Sequence, residues 1–342
     1  MNKAILFWLL GFGLAVCLCL DWPQQVASVY QTRSRAAKGG TRSMHTQAAP
    51  APVIEAEEEE AEEEADSAYE SDDNSGSEPS LEKKSRKNLL QVDKKQAAAN
   101  YELASKYGLP SGDNLRLFNN YLLSFDRRLK GPKWVMQVLS AANYVRAQEF
   151  FRDNLNFKGD PKIAKIARVA NTEYTRSGYD RGHMAPAADY MGDEAEIAQT
   201  FVLSNAFPQV PNLNQGIWKS LENYLRILAD KSDTVRVYVV TGPLFLPLEN
   251  GNGKLIVDYE IIGKSQIGVP THFFKVILVE KKGGKFSLEA FKLPNISGPF
   301  EPLNDYRVPI ERLDQIERAT GLIFFHKFNR QAAEWPTKMA EK

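Results

Sequence analysis

The 342-residue chain carries 43 basic and 43 acidic side chains, so its formal net charge is zero, and 43% of it is hydrophobic. Its two cysteines, Cys17 and Cys19, share one apolar stretch, which excludes disulfide scaffolding, thiolate catalysis and zinc–thiolate sites from the rest of the chain. Neutrality hides a segregation of charge: residues 55–80 hold 13 acids and no Lys or Arg, whereas residues 81–342 hold 38 bases against 29 acids. A basic domain behind an acidic spacer is compatible with a phosphate-rich partner, although such a surplus is also common in proteins that never meet nucleic acid.

Residues 4–20 are 17 apolar or small residues behind Lys3, which reads as a membrane anchor or a targeting segment ending near residue 21. From Trp22 to Ile54 there are bases and no acids, the composition of an organelle transit segment and equally of the basic flank of a signal anchor. The Glu-, Asp- and Ser-rich run that follows cannot bury enough apolar surface to offset its ordering entropy, so residues 22–95 are expected to form a disordered linker. A globular domain is expected over 96–330, with a tail at 331–342. Its hydrophobic pattern predicts a helix over 97–106 and extended runs at Trp134–Leu139 and Ile163–Ala170. A strand at Phe201–Asn205, a helix at Asn214–Asp230 and β-rich runs at 235–242, 255–263, 272–280 and 286–293 complete the pattern. This is an α+β fold with an antiparallel β-sheet core and flanking helices. No glycine-rich phosphate loop and no internal repeat is visible.

Four histidines occur, at 45, 183, 272 and 326, too far apart for an adjacent-ligand metal motif, so any metal is held mainly by oxygen. His272 and His326 lie in apolar runs and read as structural. His183 differs: it sits in SGYDRGHMAPAADY, where glycines and prolines flank a polar cluster that reads as a rigid display loop. Histidine exchanges protons near neutral pH, which suits acid–base catalysis, while a structural turn built on Asp180 and Arg181 is an even alternative for so short a motif. Thirty residues on, the 214–230 helix presents Ile217, Trp218, Leu221, Tyr224, Leu225 and Leu228 as a core face. Asn214, Trp218, Glu222 and Arg226 follow at steps of four along one flank, drifting about 40° per step. Taken singly, Asn214 reads equally as an N-cap, and Glu222 with Arg226 as a surface ion pair.

Together, the pieces DRGH, LSN, PQ, LNQ, W and LE resemble the DNA/RNA non-specific endonucleases of the ββα-metal fold. The similarity continues through KYGLP (106–110), YLLSFDRRLKGPKWV (121–135), YVVTGPLFLP (238–247) and GVPTHFFKVILVE (268–280), toward a mitochondrial branch of that family.

The resemblance implies hydrolysis of phosphodiester bonds in both DNA and RNA, leaving 5′-phosphate and 3′-hydroxyl ends. His183 corresponds to the general base and Asn214 to the single side-chain ligand of Mg2+, for which Mn2+ can substitute. Glu222 corresponds to an acidic residue that orients water beside the metal, and Asn205 to a position near the catalytic histidine. Arg181, Arg226 and Arg168 correspond to phosphate-binding positions, Arg181 also counting among the catalytic group. The resemblance further implies a homodimer, and a mitochondrial address in the intermembrane space or tethered to the inner membrane through residues 4–20. A secreted or surface-anchored scavenging nuclease, and a catalytically silent nucleic-acid-binding homologue, are the competing readings. Met184 after the motif and the acidic spacer depart from the family pattern.

Overall fold

The computed structural model describes residues 90–144, 155–190, 192–308 and 310–335, all within one unit spanning Gly76–Lys342. The expected anchor, the expected linker up to residue 89 and the last residues of the expected tail lie outside the described residues.

Apolar runs become sheet strands wherever both of their faces can be buried. Chain order gives helix α1 (Lys94–Ser105), then strands β1 (Leu115–Leu117), β2 (Tyr121–Asp126) and β3 (Gly131–Leu139). Next come β4 (Asp180–His183), α2 (Glu194–Thr200), β5 (Ala206–Gln209), α3 (Lys219–Asp230) and β6 (Thr234–Leu244). The pairs β7 (Leu248–Glu249) with β8 (Leu255–Ile256) and β9 (Ile261–Ile262) with β10 (Ile267–Gly268) precede β11 (His272–Lys281), β12 (Lys285–Pro294) and α4 (Leu313–Thr320). A six-stranded sheet runs in the order β1-β2-β3-β6-β11-β12, every neighbouring pair antiparallel. The fold is α+β with an antiparallel core, as the pattern predicts.

Alternate residues of the central strands feed two apolar layers. Val135, Val237, Val239, Phe273, Ile277 and Phe291 pack against Trp218, Leu221, Leu225 and Leu228 of the α3 segment. Trp134, Met136, Tyr238, Val240, Phe274 and Val276 pack against Leu313 and Ile316 of α4 and against Phe324 and Phe325 beyond it. Each buried Leu of α3 contributes about 1.5–3 kcal/mol through this burial. The N-terminus of α1 is closed by Asp93, whose Oδ1 accepts from the main-chain N–H groups of Lys95 and Gln96 at 2.9 and 3.0 Å.

Three expectations change. Residues 163–170 are turns rather than an extended run: Asp160 accepts from the N–H of Lys162, and the Ala164 carbonyl accepts from Ala167 and Arg168, so main-chain bonds close locally. Phe201–Asn205 is not a strand, because only Val202 bridges, to Lys158, before a 3-10 turn at Leu203–Asn205; the strand forms one step later, at Ala206–Gln209. Residues 255–263 contribute only β8 and β9, each two residues long and paired in small ribbons, leaving Leu255, Ile256, Val257 and Ile261 exposed. An apolar run without a neighbour to cover it has no reason to extend.

Candidate active site

The DRGH residues form β4, which pairs antiparallel with β5 in the register Asp180↔Gln209, Arg181↔Pro208, Gly182↔Phe207 and His183↔Ala206. The expected display loop is thus one strand of a two-stranded ribbon, where Pro208 is tolerated because no long ladder needs its missing N–H. Gly182 is required by packing: a Cβ there would run into the Gln209 side chain. The following Met184, Ala185, Pro186 and Ala187 are buried, so the segment after His183 is core and not solvent-facing turn.

His183 is half-buried at the end of β4, its ring 4.6 Å from that of Phe157 and 4.8 Å from that of Phe201. Asn205 is wholly buried behind it. Its Oδ1 accepts from Ala185 N at 3.0 Å, its Nδ2 donates to the Ala185 and Thr200 carbonyls at 2.9 and 3.0 Å, and its own carbonyl accepts from Met184 N at 2.9 Å. Asn205 is therefore engaged by main chain, holding the exit of β4 in place.

The helix after β5 begins with a wide turn over Leu213–Trp218, broken at Gly216 (φ −100°, ψ −111°), before α3 proper. The step-of-four alignment thus holds for Trp218, Glu222 and Arg226 and is interrupted before Asn214. Nor does Asn214 cap the helix. Its Nδ2 donates to Asp180 Oδ2 at 2.9 Å, and Gln215 Nε2 donates to the same oxygen at 2.9 Å. An amide has one donor and one acceptor end, so this bond leaves Oδ1 of Asn214 as the atom Asp180 does not engage. Ribbon and helix form a ββα unit closed by a side-chain bond between the DRGH and LNQ motifs.

The model of the DNA/RNA non-specific endonuclease family matches residues 100–331. The chain belongs to that family. Endonuclease G, mitochondrial, of Homo sapiens is 42% identical over 226 residues, covering 65% of this chain and 73% of that protein. Nuclease EXOG, mitochondrial, of Danio rerio is 37% identical over 235 residues, covering 68% of this chain and 66% of that protein. A chain of the crystal structure of the EndoG/EndoGI complex matches with a TM-score of 0.65 at 39% identity, covering 69% of this chain and 95% of that one. The protein is a nuclease, and every expected site residue from Arg168 to Arg226 lies inside the matched span.

Beneath α3 the sheet carries a buried polar strip. Arg226 Nη1 meets Asp189 Oδ1 at 2.8 Å, and Gln137 Nε2 of β3 donates to Asp189 Oδ2 at 2.6 Å. Burial holds the Asp189 carboxyl above the usual carboxylate range, a rise that Arg226 and Gln137 partly offset. Lys275 of β11 is fully buried, donates to Thr241 Oγ1 at 2.9 Å and lies 4.4 Å from the centre of the Trp218 ring. Desolvation pulls its ammonium down to about 8, against the opposing pull of Glu222 and Asp189. Two acids and two bases thus share this strip, and Glu222 belongs to it. Asp189, Gln137 and Lys275 escaped sequence reasoning. Lys275 carried a usable signal, since a lone lysine inside HFFKVILVE can only be buried and paired if both strand faces are covered.

Of the remaining candidates, Arg181 donates Nη2 to the Asn171 carbonyl at 2.9 Å and lies over the Tyr174 ring at 5.2 Å. Arg168 is turned into its own loop, donating to the carbonyls of Ile163 (3.0 Å) and Pro161 (2.8 Å). His272 opens β11 with Nδ1 3.0 Å from Thr271 Oγ1, and burial lowers it to about 4. His326, expected inside an apolar strand, is exposed on a turn instead and packs over Gly108.

Proposed function

We propose that the protein is a magnesium-dependent, sugar-non-specific endonuclease that hydrolyses DNA and RNA to 5′-phosphate and 3′-hydroxyl ends. The observation that carries this reading is the Asp180–Asn214 bond, which ties the strand bearing His183 to the Asn214 side chain through its amide N–H and leaves the Oδ1 of that amide unengaged by Asp180. The donor set suits a hard cation. Among the described residues no group of three or more His, Cys, Asp or Glu side chains could hold a metal ion, so Mg2+ would rest on Asn214 Oδ1, waters and substrate phosphate. Bound there, it would offset charge on the phosphate and on the departing 3′ oxygen, and Mn2+, with the same preference for oxygen, is expected to substitute.

His183 takes the proton of the water that attacks phosphorus, its ring held by Phe157 and Phe201. Glu222, which interacts electrostatically with the buried Lys275 ammonium, would orient water beside a cation held there. Arg226, fixed by Asp189, and Arg181, which keeps donors beyond the one given to Asn171, offer guanidinium groups to phosphate. Asn205 acts through the main chain around Ala185, as a positioning residue. No step draws on a 2′-hydroxyl, which is the chemical reason both sugars are accepted. The names of the relatives support a mitochondrial address; residues 4–20 as tether and a homodimer as the working form belong to the same reading and rest on the sequence resemblance alone.

The test is plasmid nicking and RNA cleavage by the full chain with Mg2+ or with chelator, beside His183→Ala. The parent is expected to cut both polymers only with the cation, and His183→Ala to lose about 10²–10⁴-fold with its fold intact. Equal rates for parent and His183→Ala would remove the general base from the mechanism.

A further inference from the structure

The catalytic strand is fastened at two points to one segment, LNFKGDPKIAKIARVAN (155–171). At one end Phe157 lies against the His183 ring, and at the other the Asn171 carbonyl accepts from Arg181. The loop between carries Lys158, Lys162 and Lys165, all exposed. Its one acid is out of play: Asp160 is 2% exposed, paired with Arg116 at 2.8 Å and bonded to Ser204 Oγ at 2.7 Å. A further ammonium is brought in by Lys130, whose Nζ donates to the Ile166 carbonyl at 3.0 Å.

At the tip stands Ile166, 90% exposed. A single exposed apolar side chain is ordinary on a protein surface. This one is held out on a turn stapled from inside by Arg168, whose guanidinium binds two of the loop's carbonyls, and from outside by Lys130. Lys165 directly precedes it in the chain, and the Lys130 ammonium reaches its carbonyl. Cations that neutralise phosphates, together with an apolar side chain that presses between base steps, are the means by which proteins grip a duplex from its minor groove. The scale agrees: the eight chain steps from Phe157 to Lys165 span at most about 28 Å, less than a turn of B-DNA at about 34 Å.

We infer that residues 158–168 are a docking loop for duplex nucleic acid, Lys158, Lys162 and Lys165 meeting phosphates that flank the scissile one and Ile166 pressing into the minor groove. The inference rests on the endonuclease reading and adds to it a binding element outside the ββα unit. It also gives Arg168 a role, holding the loop's shape.

The test uses the full chain carrying His183→Ala, so that a labelled duplex is bound and not cut, with affinity followed by fluorescence anisotropy across a salt series. Adding Lys158→Gln, Lys162→Gln and Lys165→Gln together is expected to flatten the log–log salt slope by about 2 to 3 and to weaken binding about tenfold or more. Ile166→Ala alone is expected to weaken duplex binding several-fold and leave a single strand of equal length bound as before. Unchanged slope and affinity in both variants would overturn the docking loop while the parent's binding keeps the nuclease reading. A full chain with His183 intact that neither binds nor cuts nucleic acid would remove that reading and this one with it. If the lysine variants instead lose sedimentation with phosphatidylserine vesicles while duplex binding is untouched, the loop faces lipid and the inference fails.

Discussion

The six-stranded sheet and the β4–β5 ribbon are both antiparallel, yet they are held in opposite ways. Sheet strands run to 11 residues and are covered on both faces by apolar side chains, so their position is fixed by many small contributions. The ribbon has four residues a strand, a length that is marginal by itself in water. Its β5 strand is anchored in the core by Ala206 and Phe207, while the half-buried β4, which carries His183, is fastened by a few polar bonds: Asn205 to Ala185, Asp180 to Asn214 and Gln215, and Arg181 to Asn171. A region fixed by few bonds is one that single substitutions can displace without unfolding the rest, and that region holds His183.

The severest challenge to this contrast is Asn205→Ala. It strands a buried N–H and two buried carbonyls that have no route to solvent. Each such loss costs about 1–3 kcal/mol, so the variant is expected to lose about 3 kcal/mol or more in urea denaturation, and cleavage with it. A loss under about 1 kcal/mol would mean that the ribbon is as self-sufficient as the sheet.

The same contrast explains what the sequence made legible. Strands β3, β6, β11 and β12 were readable because burial on both faces leaves near-continuous apolar runs. The ribbon has no such signature: DRGH looks like a loop, and β5 contains a proline, so its pairing partner lies hidden behind it. His183, Asn214 and Glu222 were found as a motif, and the Asp180–Asn214 bond joining two of its pieces depends on the fold. Asp189 could not be found, since the pairs that bury it are 37 and 52 residues away in sequence. Residues 255–263 misled for the reverse reason, an apolar pattern for which the fold supplies no neighbouring strand.

A second substitution sharpens the contrast inside the site. Asp180→Ala removes the acceptor that orients Asn214 and Gln215 while leaving the Asn214 amide in place. Partners of this kind are typically worth 10–100-fold in metal affinity. The Mg2+ concentration for half-maximal cleavage is therefore expected to rise by about that factor, with the rate at saturating Mg2+ falling far less. A fall in saturated rate with no change in Mg2+ requirement would place Asp180 in the chemistry and not in the orientation of Asn214.

The smallest expected effect concerns Lys275, the point where the sheet carries charge beneath the site. Its folded value, about 8, lies below the ordinary 10.5 because burial outweighs the attraction of Glu222 and Asp189, with Arg226 pushing the same way as burial. Between those values the unfolded chain holds a proton that the folded chain has shed. Stability rises with pH wherever the unfolded state binds more protons, so this group makes the parent relatively more stable as pH climbs. Lys275→Met fills the space without titrating. The stability difference between parent and variant, from urea midpoints, is expected to shift by about 1 kcal/mol in the parent's favour from pH 8 to pH 9 and to stay flat below pH 7. If the difference is flat to pH 9, the ammonium is retained, Glu222 and Asp189 compensate its burial in full, and the strip beneath α3 is a balanced set of charges held as tightly as the apolar layers around it.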